Sequence, residues 1–427
     1  MNATERWLKK GGELDRNDPL ARFRERFVRN QDNLIYLDGN SLGMLNRESE
    51  KAVAKALNEE WGGRLIRGWN ESWWEMPSRV ASKIAVLTGC KNDEIAVCDS
   101  TSVNLFKLLS ASLRLQKGRK KVVSDTLNFP SDIYIAEGAI QNAGEGHTLC
   151  LAESDNSIDI PLARLEKLVD EDTAVVVLSL VQFRSGFMYD MEKVNRLVHK
   201  KGALMIWDLS HATGAVEIDL NGTGSDMAVG CTYKYLNGGP GSPAFLYVRK
   251  DIQEEIVSPL WGWLGEYDPF SFAERYRPAG GAQRYMTGSP PVLSMASLEP
   301  SLDIIIEAGM AAIRRKSIAM TQMTLEIWKD ILVSRGFTVG SPSDPGERGS
   351  HIALRHSEGF RICRALISDD EGEYVIIPDF RPPDIIRLGF APLYNSFTDI
   401  AVAATELDRI VRDKVYEKFS TEKEKVT

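Results

Sequence analysis

The chain has 427 residues, 43% hydrophobic and 26% charged, an ordinary globular composition that excludes a disordered or fibrous protein. Its 52 Lys and Arg against 60 Asp and Glu leave a net charge of −8; that lacks the broad basic footprint of a nucleic-acid binder, though a local basic pocket for an anionic small molecule stays open. A single core stops growing at roughly 250–300 residues, so the length predicts one large domain and a smaller one.

The N-terminus, Met1 to Trp7, is charged early and has no apolar signal core. Ile95 to Cys98 reads as a short strand. Asp99, Ser100, Thr101 and Ser102 then offer oxygens to cap a helix from about Ser102 to Leu115. Val103, Phe106 and Leu113 share a face there, and Leu105, Leu108 and Leu109 widen it, which predicts a helix buried over much of its circumference. Lys121 to Val123 is a weak strand, followed by a loop at 128–132 and a helix ending near Gly144. Asp159-Ile160-Pro161 starts a helix running to about Asp170, with proline tolerated in its first turn.

Ala174 to Val181, broken only by Ser179, has the β-branched texture of a strand covered on both faces. It is also the longest apolar run, far short of the ~18 residues of a membrane span. Met191, Val194, Leu197 and Val198 make an amphipathic helix stopped by Gly202, and Ala203 to Trp207 is the next strand, ending at Asp208. This alternation predicts an α/β fold with a mainly parallel sheet. After about residue 290 a long helical stretch, Ser294 to Arg335, leads to shorter strands and a final charged helix. We place a large α/β domain at residues 50–293, and a small α+β domain at 1–49 with 294–427. The tail, Glu417 to Thr427, alternates in charge and predicts a frayed end.

The cysteines, at 90, 98, 150, 231 and 363, contain no CxxC pair, and the histidines no HExxH. Neither a disulfide framework nor a bound metal is expected, and the pattern suits a cytoplasmic protein.

Ligands of open α/β sheets collect beyond the carboxyl ends of the strands. Ser100-Thr101-Ser102 opens a helix, where backbone N–H groups, hydroxyls and the helix dipole suit a phosphate. Taken alone, such residues more often only cap. Asp208 ends an apolar strand, with His211 three residues on; a carboxylate there either stabilises a protonated ring nitrogen or caps a loop. Lys234 sits between Tyr233 and Tyr235 after the apolar segment Met227 to Gly230. Desolvation makes such an amine nucleophilic; the other reading is a snorkelling lysine beside a flexible turn. Lys234 follows Asp208 by 26 residues. Together, a carboxylate for a pyridinium nitrogen, a Schiff-base lysine and a helix-terminal phosphate cup form a site for pyridoxal 5′-phosphate, PLP. Arg387, after Ile385-Ile386, could hold a substrate carboxylate bidentately, or lie exposed on an edge strand.

Several segments resemble the kynureninase family, in the family's order. They are Leu37-Asp38-Gly39-Asn40-Ser41-Leu42-Gly43, Asp99 to Asn104, Asn128-Phe129-Pro130-Ser131-Asp132, Trp207 to His211, Tyr233-Lys234-Tyr235-Leu236-Asn237-Gly238-Gly239, Trp261-Gly262-Trp263, Gly288-Ser289-Pro290-Pro291 and Ile386 to Tyr394. The resemblance runs from about residue 34 to 410. It implies the PLP-dependent transferase fold (fold type I) and a homodimer with active sites at the subunit interface. It also implies hydrolysis of L-kynurenine, or 3-hydroxy-L-kynurenine, to an anthranilate and L-alanine in tryptophan breakdown. Carried over, Lys234 would be the Schiff-base lysine and Asp208 the partner of the pyridinium nitrogen, with His211 nearby. Thr101, Ser102 and Tyr233 would serve the phosphate, Phe129 would stack on the ring, and Pro130, Ser131, Asp132 and Ser179 would line the pocket. Trp263 and Ser289 resemble residues reaching the phosphate from the partner subunit. Arg387 would bind the substrate α-carboxylate, with Ser41 beside the substrate. Tyr233, adjoining Lys234, is the candidate general acid/base. Trp61, Trp69 and Phe129 could help accept an aryl group, although aromatics are more often core.

Three rival readings remain. A cysteine desulfurase or aminotransferase of the same fold is the nearest; the first needs a mobile cysteine, and Cys363 is the one to check. A non-catalytic binder is opposed by the intact Lys234, Asp208 and Arg387 set. A nucleotide-binding dehydrogenase would need a GxGxxG after an early strand, which is absent.

Overall fold

Runs of β-branched and aliphatic residues in the middle of the chain have no polar face, so they are stable only inside a sheet covered on both sides. The computed structural model, which describes residues 2–144, 146–368, 370 and 372–422, places them in a seven-stranded sheet. Its order is Ile95–Val97, Phe245–Val248, Met227–Gly230, Leu204–Asp208, Thr173–Ser179, Lys121–Asp125 and Thr148–Ala152. Phe245–Val248 is antiparallel to both neighbours, and the other pairings are parallel. Alternate residues feed two cores. Val176, Leu178, Met205 and Trp207 face one, with the helices Met76–Thr88 and Met191–Lys200. Val175, Val177, Ile206 and Val229 face the other, where the helix Thr101–Leu115 packs through Leu105, Leu108 and Leu109.

Two strands escape the sequence reading. Thr148–Ala152 is a partly exposed edge strand, so its alternation is weak, and Phe245–Val248 follows a glycine- and proline-rich turn. The helix after Asn128 begins at Pro130, inside the expected loop, because proline fits a first helical turn. The expected continuous helix from Ser294 to Arg335 is broken. Val292–Ala308 ends at Gly309, whose φ of 79° turns the chain, and Met310–Ile327 starts a second helix.

A third core lies beside the sheet. Met320, Ile327, Phe337, Ile352, Ile386, Leu388 and Leu407 pack there with Trp7, Ile35 and Leu37 from the N-terminus. Its four-stranded antiparallel sheet runs Asp379–Arg381, Ile385–Gly389, His351–Arg355, Thr338–Val339. Leu34–Tyr36 pairs in parallel with Val375–Ile377. Of the charged tail, Val415–Lys418 forms one tight turn, and residues 423–427 lie outside the described residues. Among the described residues no helix is long and apolar enough to cross a membrane, and no cluster of His, Cys, Asp and Glu could hold a metal ion.

The segment Asp38 to Gly43 joins the two parts at the site. The Gly43 N–H donates to the Tyr233 carbonyl at 2.8 Å. A Cβ on Gly43 would stand 2.3 Å from the Lys234 carbonyl oxygen and from Asn237 Oδ1, so only glycine allows this approach. Gly43→Ala is expected to cost about 1–3 kcal/mol by overpacking and to lower the thermal midpoint. An unchanged unfolding curve would mean the backbone there yields freely.

Candidate active site

Strand geometry brings the first groups together. Ser179 and Asp208 end adjacent parallel strands and stand opposite each other in register. The helix Thr101–Leu115 follows the edge strand Ile95–Val97, and Ser100 caps it by accepting the Val103 N–H at 3.3 Å. The turn carrying Tyr233 and Lys234 follows Met227–Gly230. These converge on a cavity of about 250 Å³ lined by Thr101, Ser102, Phe129, Ser131, Asp132, Ser179, Asp208, His211, Tyr233 and Lys234. Ser100, Phe183, Ser210, Cys231, Ser242 and Ala244 complete its wall.

The cavity is strongly graded. The Lys234 amine stands 5.8 Å from the centre of the Phe129 ring and 5.9 Å from that of Tyr233. Asp208 and Asp132 are buried side by side, and Asp208 Oδ1 accepts the Ser210 N–H at 2.8 Å. Burial first, then the Asp208 charge, raises the Asp132 carboxyl well above its usual range, against the pull of Lys234. Asp132 is therefore harder to ionise than a free carboxyl, beside the Asp208 carboxylate. Burial, then the charges of Lys234 and Arg387, push His211 well below its usual range, so its imidazole is neutral. The Tyr233 phenol is raised, chiefly by the adjacent Cys231 and then by burial, so it remains a proton donor.

Asn128 is a link the sequence reading did not place in the site. Its Oδ1 accepts from Ser179 Oγ at 2.6 Å and from the Phe129 N–H at 2.8 Å. It thus fixes the aromatic wall to the strand end, and Phe129 packs edge-on against Phe183 at 5.1 Å. Only the tertiary pairing reveals this role.

Other predicted residues stand apart from the cavity. Pro130 opens its helix without lining the wall. Trp263 and Ser289 lie on the surface, with Trp263 against Trp74 and Phe270. Arg387 is 1% exposed, not an exposed edge arginine. Asp379 stands opposite it in register and pairs with its guanidinium. Its Nη1 donates to the carbonyl of Phe183, a wall residue, and its Nη2 to Ser41 Oγ at 3.0 Å. The aromatics Trp61 and Trp69 do not line this cavity.

The donor set fits PLP. Lys234 can hold the aldehyde carbon, the 100–102 cup the phosphate, and Asp208 a ring nitrogen. Two buried polar atoms at the wall, His211 Nδ1 and Asp132 Oδ2, have no partner among the described residues, as expected where a polar group is to be received. The two carboxyls predict different outcomes. Asp208→Asn should cost roughly 10²–10³ in turnover by removing charge stabilisation, whereas Asp132→Asn, at the carboxyl that burial keeps from ionising readily, should cost no more than about tenfold. Steady-state rates at full cofactor occupancy test this; equal losses would erase the distinction, and a larger loss at Asp132 would reverse it.

Residues 63–359 match the family model "Aminotransferase class-V", and residues 313–407 match "Kynureninase C-terminal domain". The kynureninase of Pseudomonas fluorescens is 41% identical over 408 residues, covering 94% of this chain and 95% of that one. The kynureninase of Burkholderia mallei is 41% identical over 403 residues, covering 93% and 94%. Among solved structures, a cysteine desulfurase from Thermococcus onnurineus superimposes with a TM-score of 0.78 at 17% identity, covering 91% of this chain and 98% of that one. A cysteine desulfurase from Escherichia coli gives 0.76 at 18%, covering 92% and 98%. At such identity the likeness is one of fold, that of the PLP-dependent class V aminotransferases.

Proposed function

The chain belongs to the kynureninase family, so its reaction is the PLP-dependent hydrolysis of L-kynurenine at the Cβ–Cγ bond to anthranilate and L-alanine, and we propose that the cavity around Lys234 is where it occurs. One observation carries this placement: Lys234, the Asp208–Asp132 pair and the 100–102 cup share a single wall.

Bound there, PLP supplies an electron sink for the pair left on the substrate Cα. The residues supply the rest. Thr101 and Ser102 would hold the phosphate, and Asp208 would keep the ring nitrogen protonated. Lys234 would hold the aldehyde carbon at rest, and its amine is the base placed to take the substrate Cα proton. Water adds to the side-chain ketone; as the Cβ–Cγ bond breaks, the hydrate gives up a hydroxyl proton and its carbon leaves as the carboxyl of anthranilate, while the bond's electron pair stays on Cβ, which takes a proton from Tyr233, held protonated, to become the methyl of alanine. Arg387 receives the α-carboxylate by exchanging its contact with Ser41, while Asp379 and the Phe183 carbonyl keep the fork aimed. A ring hydroxyl is compatible with the same scheme, giving 3-hydroxyanthranilate. Separate rate measurements on the two substrates decide the preference.

A desulfurase role finds no support. Cys363 is 0% exposed inside the helix Gly359–Ile367, and burial raises its thiol well above the usual range. A catalytic thiolate needs access and a lowered pKa.

The working unit is proposed to be a homodimer. Trp263, Phe270 and Phe272 form a run of ring contacts on the surface, Phe272 at 76% exposure, and an exposed apolar patch of this kind favours association. Trp263 belongs to this patch, and in the proposed dimer Trp263 and Ser289 would reach the partner's cofactor. Phe272→Asp should shift the mass in sedimentation from two chains toward one. A wild-type monomer with full activity would contradict the dimer. Five unpaired cysteines suit a reducing, cytoplasmic compartment, which cell fractionation checks.

A further inference from the structure

The most deeply buried charge near the site takes no part in the chemistry above. Lys107 lies in the helix Thr101–Leu115, its side chain 0% exposed, and it does not line the cavity. Its Nζ donates to the Asp99 carboxylate, to the Tyr285 carbonyl at 2.7 Å and to Asn104 Oδ1 at 3.3 Å. A buried ammonium is costly unless such partners surround it. An apolar side chain would fill the same space without that cost, so the charge calls for a reason.

The reason lies one residue before the cup. Asp99 has a φ of 50°, in the left-handed region that non-glycine residues seldom adopt. Three contacts hold it there. Lys107 takes one carboxylate oxygen, Thr287 Oγ1 donates to the other at 3.1 Å, and the Ala244 N–H donates to its carbonyl at 2.9 Å. The turn at Asp99 carries the chain from the strand Ile95–Val97 into the helix and delivers Ser100, Thr101 and Ser102 to the cavity wall.

We propose that Lys107 is a positioning residue for the cofactor phosphate, holding Asp99 in the turn that shapes the 100–102 cup and neutralising the carboxylate one residue before it. The proposal rests on the reading of this cavity as the PLP site. It separates two parts of cofactor binding: the phosphate part depends on Lys107, and the ring and aldehyde part does not.

The test compares PLP with pyridoxal, which has the same ring and aldehyde but no phosphate. Full-length apoprotein, prepared from holoenzyme, is titrated with each, following tryptophan fluorescence and visible absorbance. Lys107→Met should weaken PLP binding by at least about tenfold and leave pyridoxal binding within about twofold. Thr287→Val leaves the buried ion pair intact; it should shift PLP alone by about threefold, and it carries the test should Lys107→Met not fold. Equal weakening of both ligands, or an unchanged PLP-to-pyridoxal ratio, would overturn the proposal. A wild-type chain that takes up no PLP would instead overturn the cofactor reading itself, so the two failures are distinguishable.

Discussion

Replacing Lys234 by alanine lowers turnover by on the order of 10²–10⁴-fold, the range expected when a positioned proton-transfer group is lost. Two functions fail together. The amine lines the cavity near the rings of Phe129 and Tyr233, and among the described residues no other lysine lines the wall. Without it, nothing there can hold the cofactor covalently, and nothing equivalent can take the Cα proton. The phosphate cup and Asp208 remain, so the variant still binds PLP, but reversibly. Borohydride treatment followed by peptide mass mapping reads this directly. Wild type retains a cofactor mass on the peptide containing Lys234, and Lys234→Ala retains none. Normal turnover in the variant would remove Lys234 from the chemistry.

The second large effect is at Arg387. Removing its guanidinium should weaken apparent substrate binding by about 2–5 kcal/mol, the cost of truncating one partner of a buried charge pair. Each nitrogen is already engaged, by Asp379, by the Phe183 carbonyl and by Ser41 Oγ. The Ser41 hydroxyl is the weakest of these partners, so it is the one a substrate carboxylate displaces. Arg387→Ala also leaves the buried Asp379, among the described residues, paired with Arg381 alone, at 3.1 Å, and so lowers stability. Arg387→Lys separates the two effects. It keeps a cation beside Asp379 and should keep the thermal midpoint near wild type, yet it lacks the planar fork and should still raise KM. A wild-type KM in both variants would move the carboxylate site elsewhere.

Much of this site was legible in the sequence because it is written in strand ends. Asp208 closes a fully apolar run, and Lys234 follows the next one between two tyrosines, so both could be placed at the carboxyl edge of a sheet before any pairing was known. The Ser100–Ser102 cup was legible as a helix start. Links between distant segments were not. Asp379 and Arg387 are both visible, but only the antiparallel register sets them opposite each other. Asn128 was visible in its motif, but its bond to Ser179 needs two strands side by side. Lys107 stands between Phe106 and Leu108 in its helix, and nothing local shows that Asp99 turns back to meet it. The break at Gly309 was missed for a different reason: helical periodicity continues on both sides of it.

The central claim is tested most directly by a cleavage assay on the full-length, PLP-loaded protein, offered L-kynurenine and 3-hydroxy-L-kynurenine separately, with Lys234→Ala in parallel. The aryl product is followed by fluorescence and alanine by chromatography. The account predicts aryl product and alanine in equal amounts from wild type, and loss of both in the variant. Wild-type protein that holds PLP on Lys234 yet releases neither product would contradict it.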